Sequence, residues 1–388
     1  LLISYLVINP KQPQTIIRLF NATFMKKLLF ILCCVSYWHV AAQNHYQHLI
    51  DSIAKSHQLV GMTYTVVHGE KELLAYAWGN RCLGEHQPIT LSDRFHLGAS
   101  SKTLTAWVAA RLVEQGKIQW QTSFFSLFPD LQSTSRKVYQ ETTLETLLNH
   151  RAMLPAFTNL ASLENLTFEG SVREQRAKFI AHILQQAPPI APAGQDYVYS
   201  HAGYVMAAAM LEKVSDIPFE ELAVQLINEE LAIDINFGFP NQLSKQGVCG
   251  HQLKNGRLSA VSSKENVKIP AYLVPALDFN MNIQNYGKWL RHHLLGVHGK
   301  DSKFLPQSSY EKLLFGYKEY ALGWNNNQKV ENKLRIASSD GSIGTFFCHT
   351  VLYPDKNLGI AIFINSAEPS AMIAVQQIQK VLLKEFGR

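Results

Sequence analysis

Long apolar runs, cysteines and blocks of like charge are all scarce in this chain, and each scarcity removes a class of protein. The apolar run Leu28 to Val35 is shorter than the roughly 20 residues that cross a bilayer, so no stable membrane span is expected. Five cysteines in 388 residues include no CxxC and no Cys/His spacing of the kind that holds zinc, so no metal is expected. Charged residues make up only 17% of the chain and form no basic run, which argues against a nucleic-acid binder or a polybasic membrane protein. Internal repeats, low-complexity segments and long linkers are missing as well. What is present is 47% hydrophobic and 11% aromatic residues, a globular composition that excludes a disordered chain, a coiled coil or a collagen-like repeat.

The net charge of +6 is carried largely by the first 42 residues, which hold Lys11, Arg18, Lys26 and Lys27 and no acidic residue; the remainder is close to neutral. Met25-Lys26-Lys27 reads as the charged start of a secretory signal, Leu28 to Val35 as its apolar core, and Val40-Ala41-Ala42 as the small-residue cleavage site. The sequence therefore predicts an overextended N-terminus over 1–24, a signal peptide over 25–42, and export to a periplasm or the medium. Cys33 and Cys34 lack the small preceding residue of a lipid-attachment site. Of the rest, Cys82, Cys249 and Cys348 allow at most one bridge, and they read as buried small apolar residues. His292-His293 reads as surface.

Hydrophobic spacing organises 43–388. Residues 43–57 read as an amphipathic helix. Met62 to Val67 and Leu73 to Trp78 read as a hairpin around Gly69-Glu70-Lys71. Leu104, Trp107, Val108 and Leu112 lie on one helical face, and Gly116 closes that helix. The middle of the chain reads as mostly helical, with breaks at Pro188-Pro189 and Pro192 and a helix through Tyr204, Ala207, Ala208 and Leu211. Strands are expected to return only at Tyr320 to Trp324, Leu334 to Ala337, Phe346 to Tyr353 and Leu358 to Asn365, before a last helix over Ala371 to Glu385. The expectation is an α+β sandwich: an antiparallel sheet lobe from about 43–98 and 300–388, flanked by helices, with a mainly helical lobe from about 99–299 and a cleft between them.

The segment Phe95-His96-Leu97-Gly98-Ala99-Ser100-Ser101-Lys102-Thr103-Leu104-Thr105-Ala106 resembles the active-site segment of the serine β-lactamase and penicillin-binding-protein superfamily, closest to class C β-lactamases and their esterase and peptidase relatives. The resemblance continues through Leu147-Leu148-Asn149-His150 with Leu154-Pro155, Tyr199-Ser200-His201-Ala202-Gly203-Tyr204, Leu322-Gly323-Trp324, and Tyr353-Pro354-Asp355-Lys356-Asn357-Leu358. It implies the β-lactamase-like fold and a serine hydrolase chemistry without cofactor or metal. The family's Ser-x-x-Lys places a nucleophile one helical turn before a lysine at a helix N-terminus. A Tyr-x-Asn loop relays the proton and holds the substrate amide, a Lys or His on a strand completes the polar wall, and two backbone N–H groups form an oxyanion hole.

Carried onto this sequence, the resemblance assigns Lys102 and Tyr199 to their family roles and the N–H groups of Ala99 and Ser342, beside Gly341, to the oxyanion hole. Three positions depart from the pattern: Ala99 replaces the nucleophile, His201 the Asn, and Ser339 the Lys or His. After His150 the family's Ser-Gly turn becomes Arg151-Ala152-Met153. The expectation is a pseudoenzyme that has lost acyl-enzyme chemistry and binds a peptidoglycan-type peptide, a small acyl ligand or an unidentified protein partner in the old cleft. The competing expectation is an active amide or ester hydrolase that uses His201 or Ser100.

Overall fold

The computed structural model describes residues 45–163, 166–300, 303–327 and 334–387; the expected N-terminal extension and signal peptide lie outside the described residues. Residues 45–56 are helical. From residue 53 onward the chain builds a six-stranded antiparallel sheet with helices on both faces.

β1 (Gly61–His68) and β2 (Lys71–Gly79) form the expected hairpin, turned by Gly69 and Glu70, with Gly69 at φ +54°. The other four strands come from the far end of the chain: β3 (Asn325–Asn326), β4 (Ala337–Ser342), β5 (Phe347–Tyr353) and β6 (Leu358–Ile364). Their order is β2-β1-β6-β5-β4-β3, so N- and C-terminal segments complete one sheet.

Paired residues share a face of the sheet. Gly341, Cys348 and Phe363 stand on one side, where the Phe363 ring lies 4.8 Å from Tyr286 of a helix over Ile283–Val297. Asp340, His349 and Ile362 stand on the other, where His349 Nε2 lies 3.1 Å from Gln379 of the last helix, Pro369–Phe386. Covered on both faces, β6 is buried at every residue, which is why it reads as a continuous apolar run rather than an alternating one.

Two helices of the middle region matter for the site: α1 (Ser101–Glu114) and α2 (His201–Ser215). Both are buried nearly all round, the pattern of a helix inside a large core.

Four expectations need correction. The middle region carries short strands of its own, Arg94–His96, Asn236–Phe237, His251–Lys254, Arg257–Ala260 and Phe279–Asn282, too short to show a period. Leu322-Gly323-Trp324 is a bend, because Ala321 N bonds Trp324 O and Gly323 takes φ +85° against the backbone of Lys102. His293 is fully buried, with Nδ1 donating to Trp289 O at 2.9 Å and its ring against Trp289 and Trp324. Cys82 and Cys249 are joined in a disulfide, 167 residues apart in sequence, while Cys348 stays a buried thiol.

Candidate active site

From Phe95 to Ala110 every residue is buried except Ala99, so the segment reaches the solvent at the position one helical turn before Lys102. A 3-10 turn over Gly98–Ser100 leads straight into α1, with Gly98 at φ +52°. Strand β4 lies flush against this turn. A Cβ on Gly341 would stand 1.8 Å from Leu97 O and 2.7 Å from Ser100 N, and one on Gly98 would stand 2.8 Å from Ser342 N. Only glycine fits at either point, and the contact brings together the two backbone segments that carry the Ala99 and Ser342 N–H groups.

Ser339 occupies the same face of β4 as Gly341, opposite Thr350, whose hydroxyl donates to Tyr286 at 2.9 Å. Ser339 Oγ donates to Ser100 Oγ at 3.2 Å, and both residues are buried. Ser100 therefore points toward the sheet, whereas Lys102 points toward α2. Ser101 Oγ accepts from Phe279 N at 3.1 Å and ties the helix start to the neighbouring strand.

Lys102 Nζ donates to Ala276 O at 2.9 Å and lies 3.1 Å from His201 Nδ1. It meets Tyr199 through the ring face, 4.9 Å from the centroid, and Tyr204 at 5.4 Å. His201 is the first residue of α2, held by its own N–H on Ala156 O. Among the described residues no carboxylate bonds Lys102, His150 or His201. Burial is the largest cause at each group. It holds the Lys102 amine well below the usual lysine value and both imidazoles well below the usual histidine value, with the Lys102 amine adding to the depression of both. Burial also pushes the Tyr199 phenol up. The centre is a lysine amine and an imidazole in hydrogen-bond contact, both with their charged forms disfavoured by burial.

Three contributors were not singled out from the sequence. His150, at φ +63°, accepts from Ser200 N through Nδ1 and packs its ring 4.4 Å from Tyr199 and 4.5 Å from Tyr320. Its Nε2 is buried with no hydrogen-bond partner among the described residues. Arg151, where the family turns on Ser-Gly, pairs with Asp196 at 3.0 Å and donates to Asn149 O, Lys318 O and Tyr320 O; it clamps three loops around Tyr199. His96 joins Asp278 at 2.8 Å and accepts from Gly98 N at 3.1 Å. Asp278 in turn borders a cavity of about 930 Å³ walled also by Gln242, Gln252, Lys268, Tyr272 and Thr345. The sequence cues to these were the quoted motifs that contain His96 and His150, and the altered loop after His150.

A buried lysine one turn behind the partly exposed start of a helix, packed against a tyrosine loop while a sheet strand lies flush against that helix start, is the arrangement of penicillin-recognising serine hydrolases and their relatives. The chain belongs to the Beta-lactamase family, whose profile matches residues 46–382. It is 20% identical over 337 residues to the D-alanyl-D-alanine-carboxypeptidase/endopeptidase AmpH of Escherichia coli (strain K12), covering 81% of each chain. A penicillin-binding protein of Bacillus subtilis (strain 168) is 23% identical over 179 residues, 46% of this chain and only 38% of that protein. Among solved structures, the octameric penicillin-binding protein homologue from Pyrococcus abyssi superposes with a TM-score of 0.69 at 19% identity, covering 87% of this chain and 77% of that one.

Proposed function

We propose that this is an exported binding protein on the serine hydrolase scaffold, one that holds a peptide or small acyl ligand without forming an acyl-enzyme. The observation that carries the reading is at Ala99: the partly exposed position one turn before Lys102 presents a methyl group, while the Lys102 amine is engaged by His201 and Ala276. Ser339, short and bonded to Ser100, supplies no cation to the cleft. In a serine protease, loss of the nucleophile costs about 10⁶ in turnover. The cavity beside Asp278 is large enough for several residues of peptide, and a relative of this chain is named for cleaving D-alanyl-D-alanine peptides. Export is supported by the leader pattern of residues 25–42 and by the Cys82–Cys249 bridge, since disulfides persist in oxidising compartments.

Intact-mass spectrometry after incubation with a penicillin and an activated ester, run beside Ala99→Ser, tests the reading. The expected result is no adduct on the parent chain and a stoichiometric adduct on Ala99→Ser. An adduct on the parent at any residue overturns it.

One observation favours a second reading. The amine behind His201 Nδ1 would let the opposite ring nitrogen accept a proton from water, making His201 the base of a hydrolase. Ester turnover abolished by His201→Ala would establish that; turnover no faster than buffer removes it. Ser100 contributes little to this alternative, because its hydroxyl is buried against Ser339.

A further inference from the structure

Away from the cleft, the helix Val172–Gln185 and the C-terminal half of α2 leave a cavity of about 340 Å³ between themselves and the turn Pro129–Leu131. Phe128, Leu131, Ala177, Ile180 and Ala209 wall it, and Arg173 and Lys213 supply its cations. Ala209 lies eight residues along α2 from His201, roughly 12 Å at the helical rise, so this is a separate place from the centre at Lys102. We propose that the cavity is a second binding site, one that takes a small monocarboxylate with an apolar tail, its carboxylate on Arg173 and its tail against Phe128, Leu131 and Ile180. The proposal goes beyond the reading of the cleft and stands independently of it.

The observation that carries it is an unanswered guanidinium. Arg173 borders the cavity, yet its Nε and Nη2 are buried with no hydrogen-bond partner among the described residues. Their N–H groups lie side by side along one edge of the guanidinium, the edge that grips a carboxylate through two parallel hydrogen bonds. The neighbouring acids do not take that edge. Glu212 Oε1 stands 3.9 Å from Nε, out of hydrogen-bond reach, because it is drawn to Arg176 Nη1 and accepts from Phe219 N at 2.9 Å. Glu220 accepts from Arg176 Nη2 at 2.6 Å. Asp216 lies 3.8 Å from Nη1, and its side chain is wholly exposed. With Glu212 and Glu220 both held by Arg176 and Asp216 out in solvent, Arg173 and Lys213 are the charges left toward the cavity. The Arg173 side chain is 40% exposed and neither nitrogen is pinned, so its fork is free to turn to a ligand.

The walls choose the rest of the ligand. An inorganic anion would answer the fork but leave Phe128, Leu131 and Ile180 in contact with water, whereas an apolar tail displaces that water. A second negative charge would face Glu212 and Asp216, which already stand within 4 Å of the same guanidinium, so a monoanion fits better than a dianion. An amide or alcohol with the same tail offers no pair of acceptor oxygens and leaves the buried donors unpaired, a loss that sets the preference for the carboxylate.

The test is isothermal titration calorimetry of the full chain with hexanoate near neutral pH, where the acid is ionised, beside hexanamide as the uncharged match and acetate as the tail-less one. Hexanoate should bind one to one and at least about tenfold more tightly than either. Arg173→Gln should weaken hexanoate at least about tenfold, and Arg173→Lys should recover only part of that, since an ammonium cannot make the two parallel bonds. Ala177→Phe, at an exposed helix position, should fill the cavity and weaken binding as well. All three variants should melt close to the parent. Hexanoate bound no better than hexanamide, or bound equally well by Arg173→Gln and Ala177→Phe, overturns the proposal, and so does an absence of binding up to about 10 mM. The penicillin adduct on Ala99→Ser reads the cleft by itself, so failure of either idea leaves the other standing.

Discussion

At the scale of single residues, the molecule uses burial to set protonation states. His293 shows it away from the cleft. Its pKa is pushed down to about 3, first by desolvation, against the opposing hydrogen bond to Trp289 O. A folded-state pKa depressed below the unfolded value near 6.5 means the unfolded chain binds the extra proton first. The stabilisation is therefore complete above about pH 6.5 and is lost as the pH falls toward 3, with a limiting slope of about 1.4 kcal/mol per pH unit for one group. His293→Phe should flatten the fall in melting temperature between pH 6.5 and 4 relative to the parent, as followed by circular dichroism. An unchanged slope would show that His293 takes up its proton without unfolding. The same physics governs Lys102, His150 and His201, where burial disfavours the charged form of each group.

At the scale of elements, the decisive contact is between β4 and the turn that starts α1. Alternation along β4 sends Ser339 and Gly341 toward α1 and Asp340 outward to His349, which it meets in a hydrogen bond at 2.6 Å. A methyl group at 341 would sit 1.8 Å from Leu97 O, a clash that only backbone movement can relieve. Gly341→Ala should destabilise the fold by at least about 2 kcal/mol in urea denaturation, and in an Ala99→Ser background it should abolish the penicillin adduct. An adduct of undiminished yield would show that the strand and turn can part without loss of acylation. Arg151 works at the same scale, holding the loops at 149, 196 and 318–320 in one arrangement around Tyr199.

At the scale of the whole molecule, the sheet is closed by segments about 300 residues apart, as the pairing of Met62 with Ile364 shows. The Cys82–Cys249 bridge adds a covalent link between the end of the N-terminal hairpin and the middle of the chain. Next to it, His251 accepts from Leu83 N and bonds Asn365 O, while Asn365 accepts from Gly61 N, so three distant segments meet at one place. Reduction, or Cys82→Ser, should cost about 2–5 kcal/mol. Scanning calorimetry with and without dithiothreitol would register this as a lower melting temperature, and a transition at the same temperature would show the bridge to be dispensable.

The hairpin, the two buried helices, the closing strand pair and the last helix were all legible from the sequence, because periodicity and turn residues are local signals. So were the positions of Ala99, Lys102, Tyr199, His201 and Ser339, through ordered motifs. The short strands of the middle region were not, since two to four residues carry no period, and neither was the bend at Leu322-Gly323-Trp324, where apolar residues line a turn. Burial of His293 depends on Trp289, Tyr310 and Trp324, which lie on three separate segments. The sequence alone determined the order of the elements and the identity of the side chains available to the cleft, including the methyl group at 99. Only the tertiary structure decided that Lys102 bonds His201, that Ser339 bonds Ser100, that His150 and Arg151 belong to the site, and that Cys82 finds Cys249. Each of those contacts spans between about 50 and 240 residues, and a contact across such a distance is fixed by packing and burial rather than by any local pattern.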